Sequence, residues 1–161
     1  MNEEVISQYR ASLKMLIDVI KKCPDDLWLN DKDYVNGYSR IVYHTIFYTS
    51  LHLTPAGEKF IRWKNHIDNY NYLEPISPVD NKPIIIEKFF SKEEMIEYSE
   101  TVLALFEISI DVDSDEGKSS YEWMKKSRVW HIYNIRHMQH HIGQLIERLH
   151  NIGIKGIEWE E

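Results

Sequence analysis

The stretch Asn134-Ile135-Arg136-His137-Met138-Gln139-His140-His141-Ile142-Gly143-Gln144 lies inside an amphipathic run from Arg128 to Asn151. Ile135, Met138, Ile142, Leu145, Ile146 and Leu149 recur at steps of three and four, the spacing of one buried helix face. On a wheel of about 3.6 residues per turn, His141 falls about 90° from the centre of that face and His137 about 130°, while His140 falls almost opposite it. His137 and His141 therefore share one side, one turn apart. Two imidazoles so placed can hold one metal ion through nitrogens about 2.0–2.1 Å from a zinc. The same spacing also arises on helix surfaces that bind nothing, so a metal site needs a third donor from elsewhere in the chain. His44, in the middle of a second helix, is the candidate. His140 is expected to face solvent or a partner subunit.

The chain as a whole suits a helical domain. Its 161 residues are expected to form one domain, 1–161, large enough to bury about two-thirds of its extended-chain surface. Hydrophobic residues make up 43% and charged residues 28%, as in ordinary globular proteins. A net charge of −7 speaks against a nucleic-acid backbone or an anionic membrane as partner. No apolar run approaches the roughly 18–20 residues that cross a bilayer, and Met1-Asn2-Glu3-Glu4 lacks the apolar segment of a signal peptide. The one cysteine, Cys23, cannot form an internal disulfide, which fits a reducing cytoplasm. It also falls at a helix C-terminus, where the dipole raises a thiol's pKa, so it reads as incidental. Ten tyrosines and five tryptophans suggest a core or pocket lined with aromatic rings that carry polar handles.

Taken in order, Val5, Tyr9, Leu13, Leu16, Ile17 and Ile20 mark a first helix from Asn2 to Lys22, closed by Pro24. Asn36-Gly37 signals a turn, and Ser39 offers an N-cap for a second helix from Ser39 to Leu53. That helix carries His44, Tyr48 and His52 at successive i, i+4 positions. A core histidine bonded to a tyrosine is the structural alternative for His44, and His52 is placed at a mouth or on the surface. Residues 54–90 form a long irregular connection, with a short helical turn considered at Glu58 to Trp63 and Trp63 as an anchor. So long a connection in a compact domain is usually functional. Ser91-Lys92-Glu93-Glu94 is a capping box, with Phe90 and Met95 at the staple positions of a third helix that runs to about Ile110. Its glutamates read as a solvated flank. The acidic run Asp111 to Lys118 echoes a calcium-binding loop but has Glu116 where that loop requires glycine, so it reads as an acidic surface loop. Ser120 to Lys126 forms a turn before the final helix, which Gly153 ends. The fold class is therefore all-α: an antiparallel four-helix bundle with a long irregular crossover between helices 2 and 3.

Two patches resemble a known family. Tyr133 to Leu145 is similar to the signature of the DinB-like superfamily, which includes YfiT-type metal-dependent hydrolases: His-x-x-x-His, then a small residue and Gln. Val42-Tyr43-His44-Thr45-Ile46-Phe47-Tyr48 looks like the family's histidine-bearing segment in the second helix. Helix order, crossover and length fit over most of the chain. The resemblance implies metal ligands at His44, His137 and His141, one divalent ion (nickel or zinc) per chain, and a homodimer. It also implies either hydrolysis or transfer of low-molecular-weight thiols.

Three neutral imidazoles leave coordination positions open, as in catalytic rather than structural sites. The expected function is a metal-dependent enzyme with a mononuclear three-histidine site, a hydrolase or thiol transferase acting on a small molecule. Tyr48, Trp130 and Asn134 share roughly the helical faces of the ligands and are candidates to line its pocket. No carboxylate falls where a general base is needed. The alternative is a non-catalytic metal- or ligand-binding helical-bundle protein; a bundle whose histidines are incidental is a third.

Overall fold

The computed structural model describes residues 2–30, 33–54, 58–109 and 127–160. Five helices account for its regular structure: α1 (Asn2–Lys22), α2 (Asp25–Trp28), α3 (Tyr38–Leu53), α4 (Lys92–Ser109) and α5 (Ser127–Asn151). The chain is all-α; among the described residues the only β-type pairing is an isolated antiparallel bridge between Ile76 and Pro83. None of the described helices is long and apolar enough to cross a membrane.

Packing follows the apolar stripes. α1 and α3 each pack against both α4 and α5, so the core lies among four helices. Tyr9, Leu13, Leu16 and Ile20 of α1 are fully buried, as are Met138, Ile142, Leu145 and Leu149 of α5. The apolar periodicity thus identifies the inward face of both helices. Each fully buried Leu, Ile or Met side chain contributes about 1.5–3 kcal/mol through the water it no longer contacts.

Helix ends show where local chemistry decides. At α4 the capping box forms in both directions: Ser91 N–H donates to Glu94 Oε2 at 2.8 Å, and Glu94 N–H donates to Ser91 Oγ at 3.1 Å. Phe90 and Met95 are both buried beside it. At α5 the Gly153 amide bonds to the His150 carbonyl and the Ile154 amide to that of Leu149, each at 2.9 Å. That double closure needs a left-handed residue, and Gly153 has φ 85°.

Other expectations are corrected. Ser39 does not cap α3. The helix begins at Tyr38 with Gly37 as its N-cap and no side-chain cap bond, and Ser39 is fully buried inside it. Burial of Tyr38, whose hydroxyl donates to the Val19 carbonyl at 3.1 Å, draws that residue into the helix. Residues 58–63 form no helical turn. Their irregular backbone turns Trp63 into the core, where its ring stacks on Tyr98 at 4.7 Å and 7°, while Ile61 and Arg62 face solvent. The short α2 has too few residues to show a period, and its Trp28 indole donates to the Phe90 carbonyl at 2.9 Å. The acidic run 111–118, the turn 120–126 and Trp123 lie outside the described residues. Cys23 is a free, buried thiol, pushed up to about 12 by burial, which makes it chemically quiet.

Candidate metal centre

α3 and α5 lie side by side, so residues on their facing shoulders meet. His44 from α3 and His137 and His141 from α5 come together with one nitrogen from each within 4.8 Å of the others. The ring centroids are 5.1 Å apart for His44 and His137, 4.7 Å for His44 and His141, and 4.6 Å for His137 and His141. His141 is buried and His137 half-buried, while His140 is exposed, matching their order on the wheel.

The hydrogen bonds determine which nitrogens are available. His44 Nδ1 lies 2.7 Å from the Asn71 carbonyl oxygen. A carbonyl can only accept, so Nδ1 carries the proton and Nε2 keeps its lone pair. His141 Nδ1 lies 2.9 Å from Gln144 Oε1, with the same consequence. Gln144 in turn reaches His140 Nε2 at 3.3 Å. His137 presents Nε2 to His44 Nε2 at 3.1 Å, and its Nδ1 is buried with no hydrogen-bond partner. No tautomer of His137 resolves this. A proton on Nε2 serves His44 but leaves Nδ1 a buried, unanswered acceptor, at a cost of about 1–3 kcal/mol. A proton on Nδ1 leaves two lone pairs facing each other at 3.1 Å. A cation between the imidazoles removes the clash of lone pairs, although Nδ1–H of His137 stays buried without a partner, and 3.1 Å is close to the roughly 3.3 Å edge of a tetrahedral centre with bonds of about 2.0–2.1 Å. The donor set therefore suits a first-row divalent ion.

Burial keeps the three rings neutral. It lowers His44 to about 3 against the opposing pull of the Asn71 carbonyl, and lowers His137 to about 3 with help from the neighbouring histidines. His141 is lowered for the same first reason, while its bond to Gln144 works the other way. Neutral imidazole is the form that ligates a metal.

The pocket-lining candidates divide. Tyr48 stands in the site, its ring 4.7 Å from that of His44 and 5.8 Å from that of His137. Burial raises its phenol, so Tyr48 stays protonated and is a hydrogen-bond donor rather than a base. Trp130 stands one residue further out: its indole donates to the His52 carbonyl at 2.7 Å and its ring meets that of His52 edge-on at 4.6 Å. Asn134 turns into the core instead, fully buried, with Nδ2 donating to the Thr49 carbonyl at 3.3 Å. Its wheel position resembles that of His141, but about two turns nearer the helix start α3 lies against it.

Of the two positions expected for His52, a mouth or the surface, its half-burial fits the mouth, with its ring 6.0 Å from Tyr48, 5.6 Å from Tyr133 and 6.4 Å from His137. The i, i+4, i+8 series 44-48-52 was the signal for it. No carboxylate joins the cluster among the described residues. Glu97 is exposed and paired with Lys64 at 2.5 Å, and Glu94 serves its cap. Gly143 meets nothing within 4 Å where a Cβ would stand, so no close approach demands a small residue there. No protein-family model, curated protein or solved structure matches the chain.

Proposed function

We propose that the protein holds one divalent ion, zinc or nickel, at His44, His137 and His141, and that this ion is the centre of a metal-dependent enzyme acting on a small molecule. The observation that carries the proposal is the convergence of three imidazoles, two of them held through Nδ1 by Asn71 and Gln144, with one nitrogen from each within 4.8 Å of the others. When bound there, the ion supplies Lewis acidity toward a water molecule or a thiol. The protein's own residues keep the imidazoles neutral, orient them through Nδ1, and set Tyr48 beside the ligands as a hydrogen-bond donor.

Between hydrolysis and thiol transfer, the donor set favours the second. Hydrolysis asks for a group to take a proton from water, and no carboxylate joins the cluster among the described residues. A thiol, with an ordinary pKa near 8.5, needs far less help to ionise. The same lack of a base is also what a non-catalytic metal-binding protein would present. We further propose that α1, α3, α4 and α5 form an antiparallel four-helix bundle in a single domain resembling the DinB-like superfamily, and that two such chains pair. Support for the bundle comes from the packing of α1 and α3 against both α4 and α5.

Elemental analysis of untagged protein, beside the triple variant His44→Ala, His137→Ala, His141→Ala, tests the proposal. About one equivalent of zinc or nickel per chain is expected in the wild type and none in the variant. No metal in either after incubation with both ions overturns it. Consumption of a low-molecular-weight thiol with an electrophile, lost on metal removal, then separates transferase from binder.

A further inference from the structure

The crossover between α3 and α4 does more than join them. Arg40, His44 and Tyr48 stand at i, i+4 and i+8 on α3, one stripe over three successive turns. All three grip residues 71–74 of the crossover. The Arg40 guanidinium donates through Nη2 to the Tyr72 carbonyl and, at 3.3 Å, to the Glu74 carbonyl. His44 Nδ1 donates to the Asn71 carbonyl at 2.7 Å, and the Asn71 amide donates to the Tyr48 hydroxyl at 3.4 Å. We propose that this segment is the outer support of ligand His44 and that Arg40 is its positioning residue, an inference that rests on the metal site proposed above.

The segment is built to be rigid where it meets His44. Tyr70 is buried, with its ring edge-on to Tyr43 at 5.0 Å and to Phe90 at 4.9 Å. Asn69 is left-handed at φ 66°, its carbonyl accepts from the Tyr72 amide at 3.1 Å, and its side chain accepts from the Ser77 hydroxyl at 3.1 Å. The carbonyl between these fixed points, that of Asn71, is the one aimed at His44.

Arg40 is costly for a purely structural role. It is 8% exposed, its hydrogen bonds go to two neutral carbonyls while the Glu74 carboxylate favours its charge only through space, and its Nε is buried with no partner. Apolar residues of similar volume usually match or exceed the stability of such buried charges. What an apolar residue cannot do is hold two carbonyls in place next to a third. A carbonyl behind a ligating histidine fixes its tautomer and ring plane, and loss of such support typically costs 10–100-fold in metal affinity.

Zinc affinity by chelator competition, with the absorption spectrum of the cobalt(II)-loaded protein, tests this in wild type, Arg40→Met, Arg40→Lys and Arg148→Met. Arg148 is the matched control. Arg148 is half-buried and likewise donates to a loop carbonyl, Asn36 at 2.8 Å, with its guanidinium over the Tyr34 ring at 4.1 Å. It lies seven residues past His141, about 10 Å along α5. Arg40→Met is expected to weaken zinc binding by about 10–100-fold and to shift the cobalt spectrum, with Arg40→Lys intermediate because it keeps the charge but not the planar fork. Arg148→Met is expected to lower thermal stability and leave affinity within about twofold of wild type. An Arg40→Met affinity within that margin, or an equal loss in Arg148→Met, overturns the inference. If Arg40→Met does not fold, Arg40→Lys decides: a loss more than about twofold beyond that of Arg148→Met supports the inference, and a smaller one overturns it. Wild-type protein that takes up no zinc, nickel or cobalt overturns the metal site itself, and does so before any variant is compared.

Discussion

Two buried histidine assemblies flank α3, and they are wired in opposite ways. His66, from the crossover, meets the Tyr43 hydroxyl with Nδ1 at 2.5 Å and Asp68 Oδ1 with Nε2 at 3.5 Å. Each of its nitrogens has an oxygen to answer it, and its ring stacks at 5.4 Å on Phe47. His137, on the other side, faces a nitrogen with one edge and nothing with the other. The first assembly is complete as protein and fastens the crossover to the helix. The second is not complete as protein, and a cation between the two Nε2 atoms would remove the clash there. Counting histidines would treat the two alike; asking what each ring nitrogen faces separates a fastening from a binding site.

The largest effect should come from breaking the open assembly. His137→Ala is expected to abolish metal binding, from about one equivalent to none by elemental analysis, because two imidazoles alone make a poor site. His66→Ala should leave the stoichiometry unchanged while lowering the thermal midpoint. Metal lost equally in both variants would mean the two regions are not distinct.

Acid separates them next. In the metal-free protein His44 and His137 sit at about 3, against about 6.5 in an unfolded chain. Above pH 6.5 neither state binds the protons, so these groups contribute nothing there. As pH falls from 6.5 towards 3, the unfolded chain takes up protons that the folded one refuses, and stability drops by up to about 1.4 kcal/mol per pH unit for each histidine. Urea unfolding across that window, in wild type and in a His44→Phe, His137→Phe variant, should show a steep slope in the first and a shallower one in the second. Equal slopes would contradict the burial of these rings. His66 is lowered too, so part of the slope should persist in the variant.

Removing one hydroxyl from the closed assembly should cost less. Tyr43→Phe leaves His66 Nδ1 without its partner and is expected to destabilise by about 1–3 kcal/mol in denaturant unfolding, with metal affinity unchanged. The smallest expected change is at the rim: Gln144→Ala frees His141 Nδ1 at an exposed edge where water can replace the amide, so affinity should fall by about tenfold or less. A larger loss would place Gln144 among the site's essential supports.

The sequence was most legible where side chains carry a period. The stripe from Ile135 to Leu149 identified the buried face of α5, and the angles of His137 and His141 from it anticipated their positions beside α3. The wheel records angle but not height, which is why Asn134, aligned with His141, ended in the core against Thr49. Ser39 misled because capping preference is local, whereas burial of Tyr38 moved the helix start by tertiary contact. The support of His44 could not be foreseen at all. Its donor's partner is a main-chain carbonyl of Asn71, and every residue has one.

The two sides of the candidate site lie 93 residues apart in the chain. An ion held by His44 and His137 would therefore act as a mechanical clamp. Stretched from its ends, the protein could not release the segment between them, about 300 Å of contour at roughly 3.3 Å per residue, until the clamp yielded. Metal-loaded and metal-free molecules would then differ in single-molecule extension by a hidden length set only by where the two histidines fall in the chain.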